Sequence, residues 1–270
     1  MEEANVSSQI GYSVPFVAKS ATPAARTNDL EARYGDAVLA DQRAAVELSL
    51  ALLWKELALG LCSVVDAFFT NERCFLVTSP LEGQATPLEG RRLQIIEAVL
   101  AGEGQKSIAI ELDLAPSTVA LNARLALTAL GLSAKPSRAH PLLMLAARAS
   151  RIPSLRAAGR LSFIERGGSV QRVVSIARPD LELHRVVPPA ELAVIRLLIE
   201  GAPYEEIALR RGTATRTVAN QVTAVFRRLK VSGRNELLVS LLASSAEGRS
   251  ATGAFYETLA PAADGVRMSG

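Results

Sequence analysis

Apolar positions along this 270-residue chain change period several times, and each change marks an element. Val46, Leu50, Leu53 and Leu57 recur on one helical face, which predicts an amphipathic helix over residues 41–59. The apolar run 61–69, a polar turn at Thr70, Asn71, Glu72 and Arg73, and a second run to residue 78 predict a β-hairpin. That turn sets Cys74 opposite Phe69 and far from Cys62, so both cysteines are expected as separate, reduced thiols. From residue 87 the spacing is helical and stays so to about 150. A second hairpin follows, 161–166 and 169–177 around Gly167-Gly168. Pro188 opens another helical block that runs to about residue 243. Residues 1–28 and 244–270 mix Ser, Thr, Pro and Ala without a period, which predicts a disordered N-terminus and a flexible tail.

The order helix, hairpin, helical block occurs twice, and the helical blocks match residue by residue. A shift of 99 aligns Ile96 with Ile195, Gly102 with Gly201, and Ile108-Ala109 with Ile207-Ala208. It also aligns Thr118-Val119-Ala120 with Thr217-Val218-Ala219 and Leu130 with Leu229, with no gap. A period this long indicates a duplicated domain, not a solenoid. The expected organisation is a first repeat over 29–150 (hairpin 61–78, helices 87–147) and a second over 151–243 (hairpin 161–177, helices 188–243).

Within the second copy, residues 188–200 read as a helix ended by Gly201, and 203–211 as a second ended by Gly212. A third spans 215–230, and Ser232-Gly233 separates it from a fourth at 235–242. The short glycine turn between the second and third helices is what a helix-turn-helix requires. Ile207, Ala208, Val218, Val222 and Leu229 are spaced to hold the third helix across the second. The third helix carries Arg216, Arg227, Arg228 and Lys230 and no acid, with Asn220 and Thr223 on its outer face.

Val187-Pro188-Pro189-Ala190-Glu191-Leu192, Glu206-Ile207-Ala208, Arg216-Thr217-Val218-Ala219-Asn220-Gln221, Phe226-Arg227-Arg228-Leu229-Lys230-Val231 and Arg234-Asn235-Glu236-Leu237 together resemble the LuxR/FixJ-type DNA-binding domain. The resemblance covers residues 187–243. The first copy resembles the same family more weakly, through Gln105-Lys106-Ser107-Ile108-Ala109, Pro116-Ser117-Thr118-Val119-Ala120 and Ala129-Leu130-Gly131-Leu132. It implies a mainly α fold: two tandem four-helix helix-turn-helix domains, each preceded by a helix and a hairpin. It also implies dimer contacts through the fourth helix, for which the stripes Leu142-Leu143-Leu145 and Leu237-Leu238-Leu241 are candidates, within one chain or between two. The family's usual lysine after Thr-Val is alanine in both copies, Ala120 and Ala219. A further base-reading lysine position holds Arg124 in the first copy and Thr223 in the second; the second helix's lysine survives as Lys106, with Glu205 in its place in the second copy.

On this reading the third helix enters the major groove. Asn220 suits an adenine edge and Arg216 a guanine or a phosphate; Gln221 and Thr223 complete the candidate set. Thr217, Arg227, Arg228 and Lys230 are placed to hold the backbone without reading sequence. The same three cations equally serve as the basic last turn of a helix. In the first copy the candidates are Lys106, Ser117, Thr118, Asn122 and Arg124, although Ser117 and Thr118 also suit a plain helix start.

Charge sharpens the contrast between the copies. The whole chain carries +3, but residues 87–134 sum to −1 and residues 188–233 to +3. The segment 135–160 holds Lys135, Arg138, Arg148, Arg151, Arg156 and Arg160 with no acid, so it either tracks phosphates or forms a solvated face. Two histidines and two cysteines make a His/Cys zinc site unexpected, and aromatics at 4% argue against a base-stacking surface. His140 and His184 have no evident catalytic or metal partners. Gly102-Glu103-Gly104-Gln105-Lys106-Ser107 fails the phosphate-loop spacing. Glu47, Lys55, Glu56 and Asp66 interrupt the most apolar stretch, so no spanning helix is expected, and no secretory leader is evident.

The expectation is therefore a cytoplasmic, nucleoid-associated transcription regulator, not an enzyme and without cofactor or metal, whose partner is double-stranded DNA. Homodimerisation and contact with RNA polymerase or another regulator are further expected partnerships. A sigma-like polymerase-associated factor and a protein-binding adaptor are the alternatives. No receiver domain is expected before the repeats, and the N-terminal region is short for a ligand sensor, so control by abundance or by a partner of the N-terminal helix is expected.

Overall fold

The computed structural model describes residues 23–81, 87–132, 138–152 and 154–246. The expectations for residues 1–22 and 247–270, and for Lys135, lie outside them. The chain divides into two compact units after Gly35, and every element from β1 onward belongs to the second.

The mainly α expectation is corrected. Ten α-helices are present among the described residues, but so is one five-stranded antiparallel sheet, in the second unit. Its strands are β1 (Val46–Ser49), β2 (Cys62–Phe69), β3 (Arg73–Pro80), β4 (Ala158–Arg166) and β5 (Ser169–Ala177), in the order β1-β4-β5-β3-β2. Both expected hairpins form. Gly167 and Gly168 take φ of 58° and 76°, the left-handed pair that a two-residue hairpin turn needs. Cys74 pairs with Phe69 while Cys62 pairs with Pro80, and both thiols are free and buried. What the local pattern did not contain is the pairing of β3 with β5, from Arg73↔Ala177 to Thr78↔Arg172. That ladder fuses the hairpins of the two copies back to back.

The expected helix over 41–59 is also corrected. α1 (Pro23–Gln42) ends first, β1 follows, and only α2 (Leu50–Ala58) is helical. Leu50, Leu53 and Leu57 are buried as the spacing requires, whereas Val46 is exposed. Residues 46–49 pair with 158–161 of β4, and the amide of Leu50 donates to the carbonyl of Ala157 at 3.0 Å. Backbone bonds to a distant strand outweigh a helical periodicity carried by a single exposed valine.

α3 (Gly90–Leu100), α4 (Gln105–Glu111), α5 (Pro116–Ala129) and α6 (His140–Arg151) form the first helical block. α7 (Pro189–Ile199), α8 (Tyr204–Arg211), α9 (Thr215–Arg228) and α10 (Arg234–Ala246) form the second. The left-handed positions repeat with the same shift as the sequence: Gly102 with Gly201, Asp113 with Gly212, and Gly131 with Lys230. α6 packs on α2, α3 and α10, so the leucines at 142, 143 and 145 and at 237, 238 and 241 are buried within the one chain.

Two buried charge networks tie these parts together. Asp41, 1% exposed, accepts a hydrogen bond from Ser175 Oγ and lies 3.2 Å from Arg73 and 3.6 Å from Arg160. Arg178, stacked over Phe69, grips Asp180 with two hydrogen bonds at 2.9 and 3.1 Å. It also donates to Glu200 at 2.9 Å and to the Thr70 carbonyl at 3.0 Å, linking the first hairpin's turn to the end of α7.

Candidate nucleic-acid interface

α8 and α9 are joined by residues 212–214, with Gly212 at φ 63° closing α8 in the left-handed conformation. Ile207 and Ala208 of α8 are buried, as are Val218, Val222, Val225 and Leu229 under α9. These four fall on one face of a 3.6-residue helix, so the opposite face must be Arg216, Asn220, Thr223 and Arg227. All four are exposed. The stripe is about 16 Å long, enough to run along a major groove.

The candidate residues do not all stand ready for a ligand. Arg216, Asn220 and Arg227 have no side-chain hydrogen bond or ion-pair partner among the described residues, and Thr217 is exposed on the first turn. Thr223 turns its hydroxyl back onto the Ala219 carbonyl at 2.8 Å. Gln221 is half-buried, with Oε1 enclosed and unbonded. Arg228 is paired with Glu191 of α7, so its charge fixes α9 to the first helix of its own block. Lys230 is exposed at φ 54°, past the helix end.

The chain matches no family model, no curated protein and no solved structure.

The first copy presents a different face. The shift of 99 places Ser117, Leu121, Arg124 and Thr128 where α9 carries Arg216, Asn220, Thr223 and Arg227. Leu121 is 46% exposed, and Leu125 beside it 42%. Asn122 spends its amide on the Thr118 carbonyl at 2.9 Å, and Thr118 is half-buried. Ser117 is exposed, but the residue capping α5 is Ala115, so neither hydroxyl caps the helix. Lys106 and Arg124 are exposed cations with no ion-pair partner among the described residues. The basic segment is partly spent as well: Arg151 lies 3.7 Å from Glu103 and Arg160 faces Asp41, which leaves Arg138, Arg148 and Arg156.

Glu191 and Arg234, both within the quoted motifs, make pairings that the sequence did not indicate. Glu191 meets Arg228 across 37 positions. Arg234 donates to the Leu198 and Ile199 carbonyls at 2.7 and 2.9 Å, and to Nδ1 of His140 at 2.7 Å. It thereby closes the C-terminus of α7 and joins the starts of α6 and α10. Neither pairing has a local signature. The leucines on α5 did have one, since the repeat alignment sets Leu121 against Asn220. His184 Nδ1 lies 2.7 Å from the Leu181 carbonyl, in the 3-10 turn Leu181–Arg185. No helix among the described residues is long and apolar enough to cross a membrane.

Proposed function

We propose that this chain is a sequence-specific transcription regulator of the LuxR/FixJ type, acting on the nucleoid in the cytoplasm and laying α9 in the major groove of double-stranded DNA. The observation that carries this reading is the outer stripe Arg216-Asn220-Thr223-Arg227, exposed and opposite the buried valine face of α9. A bidentate Asn amide matches an adenine edge, and an unpaired Arg at the helix start reaches guanine or phosphate. Arg227 and Lys230 follow at the helix end as backbone contacts. α9 is the principal base reader in this proposal, because Leu121, in the place of Asn220, offers a base edge no hydrogen bond. The first copy serves as a second DNA contact through Arg124 or as a dimer or partner element. Arg228 is a clamp on α9 in this reading, not a phosphate contact, because Glu191 already holds its charge.

Selection of bound fragments from random duplex DNA, followed by gel shifts over a salt series, tests the proposal. The expected result is an enriched sequence whose preference the double variant Arg216→Ala, Asn220→Ala abolishes. Removing either side chain from a base edge costs about 1–3 kcal/mol of discrimination. Arg227→Ala lowers the slope of log K against log salt by about 1, whereas Arg228→Ala leaves that slope in place. Failure to enrich any sequence at physiological salt rejects the reading.

A further inference from the structure

The two copies differ in one more respect, which does not depend on whether α9 reads DNA. A cleft of about 260 Å³ opens beside α5, between Val99, Val119, Ala123 and Leu127, with Gln105 and Arg124 at its polar part. The second copy has Leu198 for Val99, Tyr204 for Gln105, Val222 for Ala123 and Phe226 for Leu127. Leu198 and Val222 are buried there, and Tyr204 and Phe226 pack against the main core. These four exchanges each put a larger side chain in the second copy, whereas the two charged lining residues, Glu103 and Arg124, are replaced there by the smaller Ala202 and Thr223. Two positions that line this space in the first copy thus carry aromatic rings in its duplicate, Tyr204 and Phe226.

The charges at this space are unequal. Glu103 is already engaged by Arg151 at 3.7 Å, and the Gln105 amide donates to the Pro116 carbonyl at 2.5 Å. Arg124 is exposed and has no ion-pair partner among the described residues. A guanidinium suits a carboxylate through paired hydrogen bonds, and an apolar wall beside it suits a ring. The volume, about 260 Å³, lies just under the roughly 300–1,000 Å³ of ordinary small-molecule pockets and suits a single ring.

We propose that the cleft between α3, α4 and α5 is a binding site for a small aromatic carboxylate, its ring among Val99, Val119, Ala123 and Leu127 and its carboxylate on Arg124. Phenylacetate is the probe, titrated into the full chain with methyl-labelled Ala, Val and Leu and followed by NMR at constant ionic strength. The methyls of Val99, Ala123 and Leu127 are expected to shift together and saturate, with a dissociation constant on the order of 1 mM. Benzyl alcohol binds about tenfold more weakly, and Arg124→Thr removes that difference. The double variant Ala123→Val, Leu127→Phe, which copies the second repeat, abolishes the shifts at Val99. Scattered, non-saturating shifts overturn the proposal, as does equal binding of phenylacetate and benzyl alcohol, which would mark a notch for a neutral side chain of another protein. Because Arg124 is exposed, its variant leaves the fold intact and the charge arm of the test readable whatever the core variant does.

Discussion

His140 and Arg234 form the contact in which one proton matters most. Burial, and then the charge of Arg234, hold the imidazole pKa down at about 3 from its ordinary 6.5, and its Nε2 is enclosed without a partner. The folded chain therefore keeps His140 neutral as an acceptor for Arg234, while the unfolded chain protonates it below about pH 6.5. Between those two values the unfolded state binds the extra proton, so stability falls as the pH falls from 6.5 towards 3. The limiting slope for one such group is about 1.4 kcal/mol per pH unit. His140→Gln keeps an oxygen for Arg234 and removes the titration. Urea unfolding at about pH 7 and about pH 5 should show the wild type losing roughly 1–2 kcal/mol more than this variant. Parallel losses in the two proteins would mean that His140 titrates freely in the folded state. None of this is legible in the sequence alone, because two residues 94 positions apart give no local signal and His140 reads as an isolated side chain.

At the scale of elements, the duplicated sequence was largely legible and its consequences differ by copy. The left-handed positions were signalled by Gly102, Gly131, Gly201 and Gly212, while Asp113 and Lys230, the counterparts of Gly212 and Gly131, adopt the same region without glycine. Gly131 is not interchangeable with its counterpart. Val64 of β2 donates its amide to the Leu130 carbonyl at 3.0 Å, which brings the strand against the end of α5. A Cβ on Gly131 would stand 2.3 Å from the Val64 carbonyl oxygen, and φ is +84°. Gly131→Lys, which installs the second copy's residue, should cost several kcal/mol through backbone that has nowhere to move. The reverse exchange, Lys230→Gly, relieves a strained φ and should change stability by less than about 1 kcal/mol. Thermal unfolding of both variants checks the pair. Equal effects would show that the end of α5 can part from β2. The helix over 41–59 failed at this scale for a related reason: its first turn was taken by backbone bonds to β4, a partner more than a hundred residues away in sequence.

For the unit from Asp36 onward, duplication did not produce two modules side by side. β3 and β5 are the second strands of their hairpins, and their antiparallel ladder puts both copies into one sheet. Leu76, Val174 and Ile176 of that ladder share a single core with Leu143 of α6 and Val218 of α9. The first copy's helices contribute Ile96, Leu100, Ala126 and Leu130 to that same core, and also form a small satellite core of Ile95, Ala98, Ile108, Ala109 and Val119. Hairpins are legible from alternation and turn residues, but which hairpin pairs with which depends on contacts about a hundred residues apart, for which one sequence holds no register. A shared sheet and core couple the copies energetically, so unfolding should be one cooperative event. Trp54, fully buried and hydrogen-bonded to Glu97 at 2.8 Å, reports from the first copy by fluorescence. Far-UV circular dichroism reports from both. Their urea transitions should coincide, and a fragment of residues 154–246 should lack a cooperative transition, because β5 loses its partner β3 and α10 its contact with α6. Two separated transitions, or a fragment that folds as well as the whole, would instead mean that the second helix-turn-helix is an independent domain and that the β3–β5 ladder contributes little to its stability.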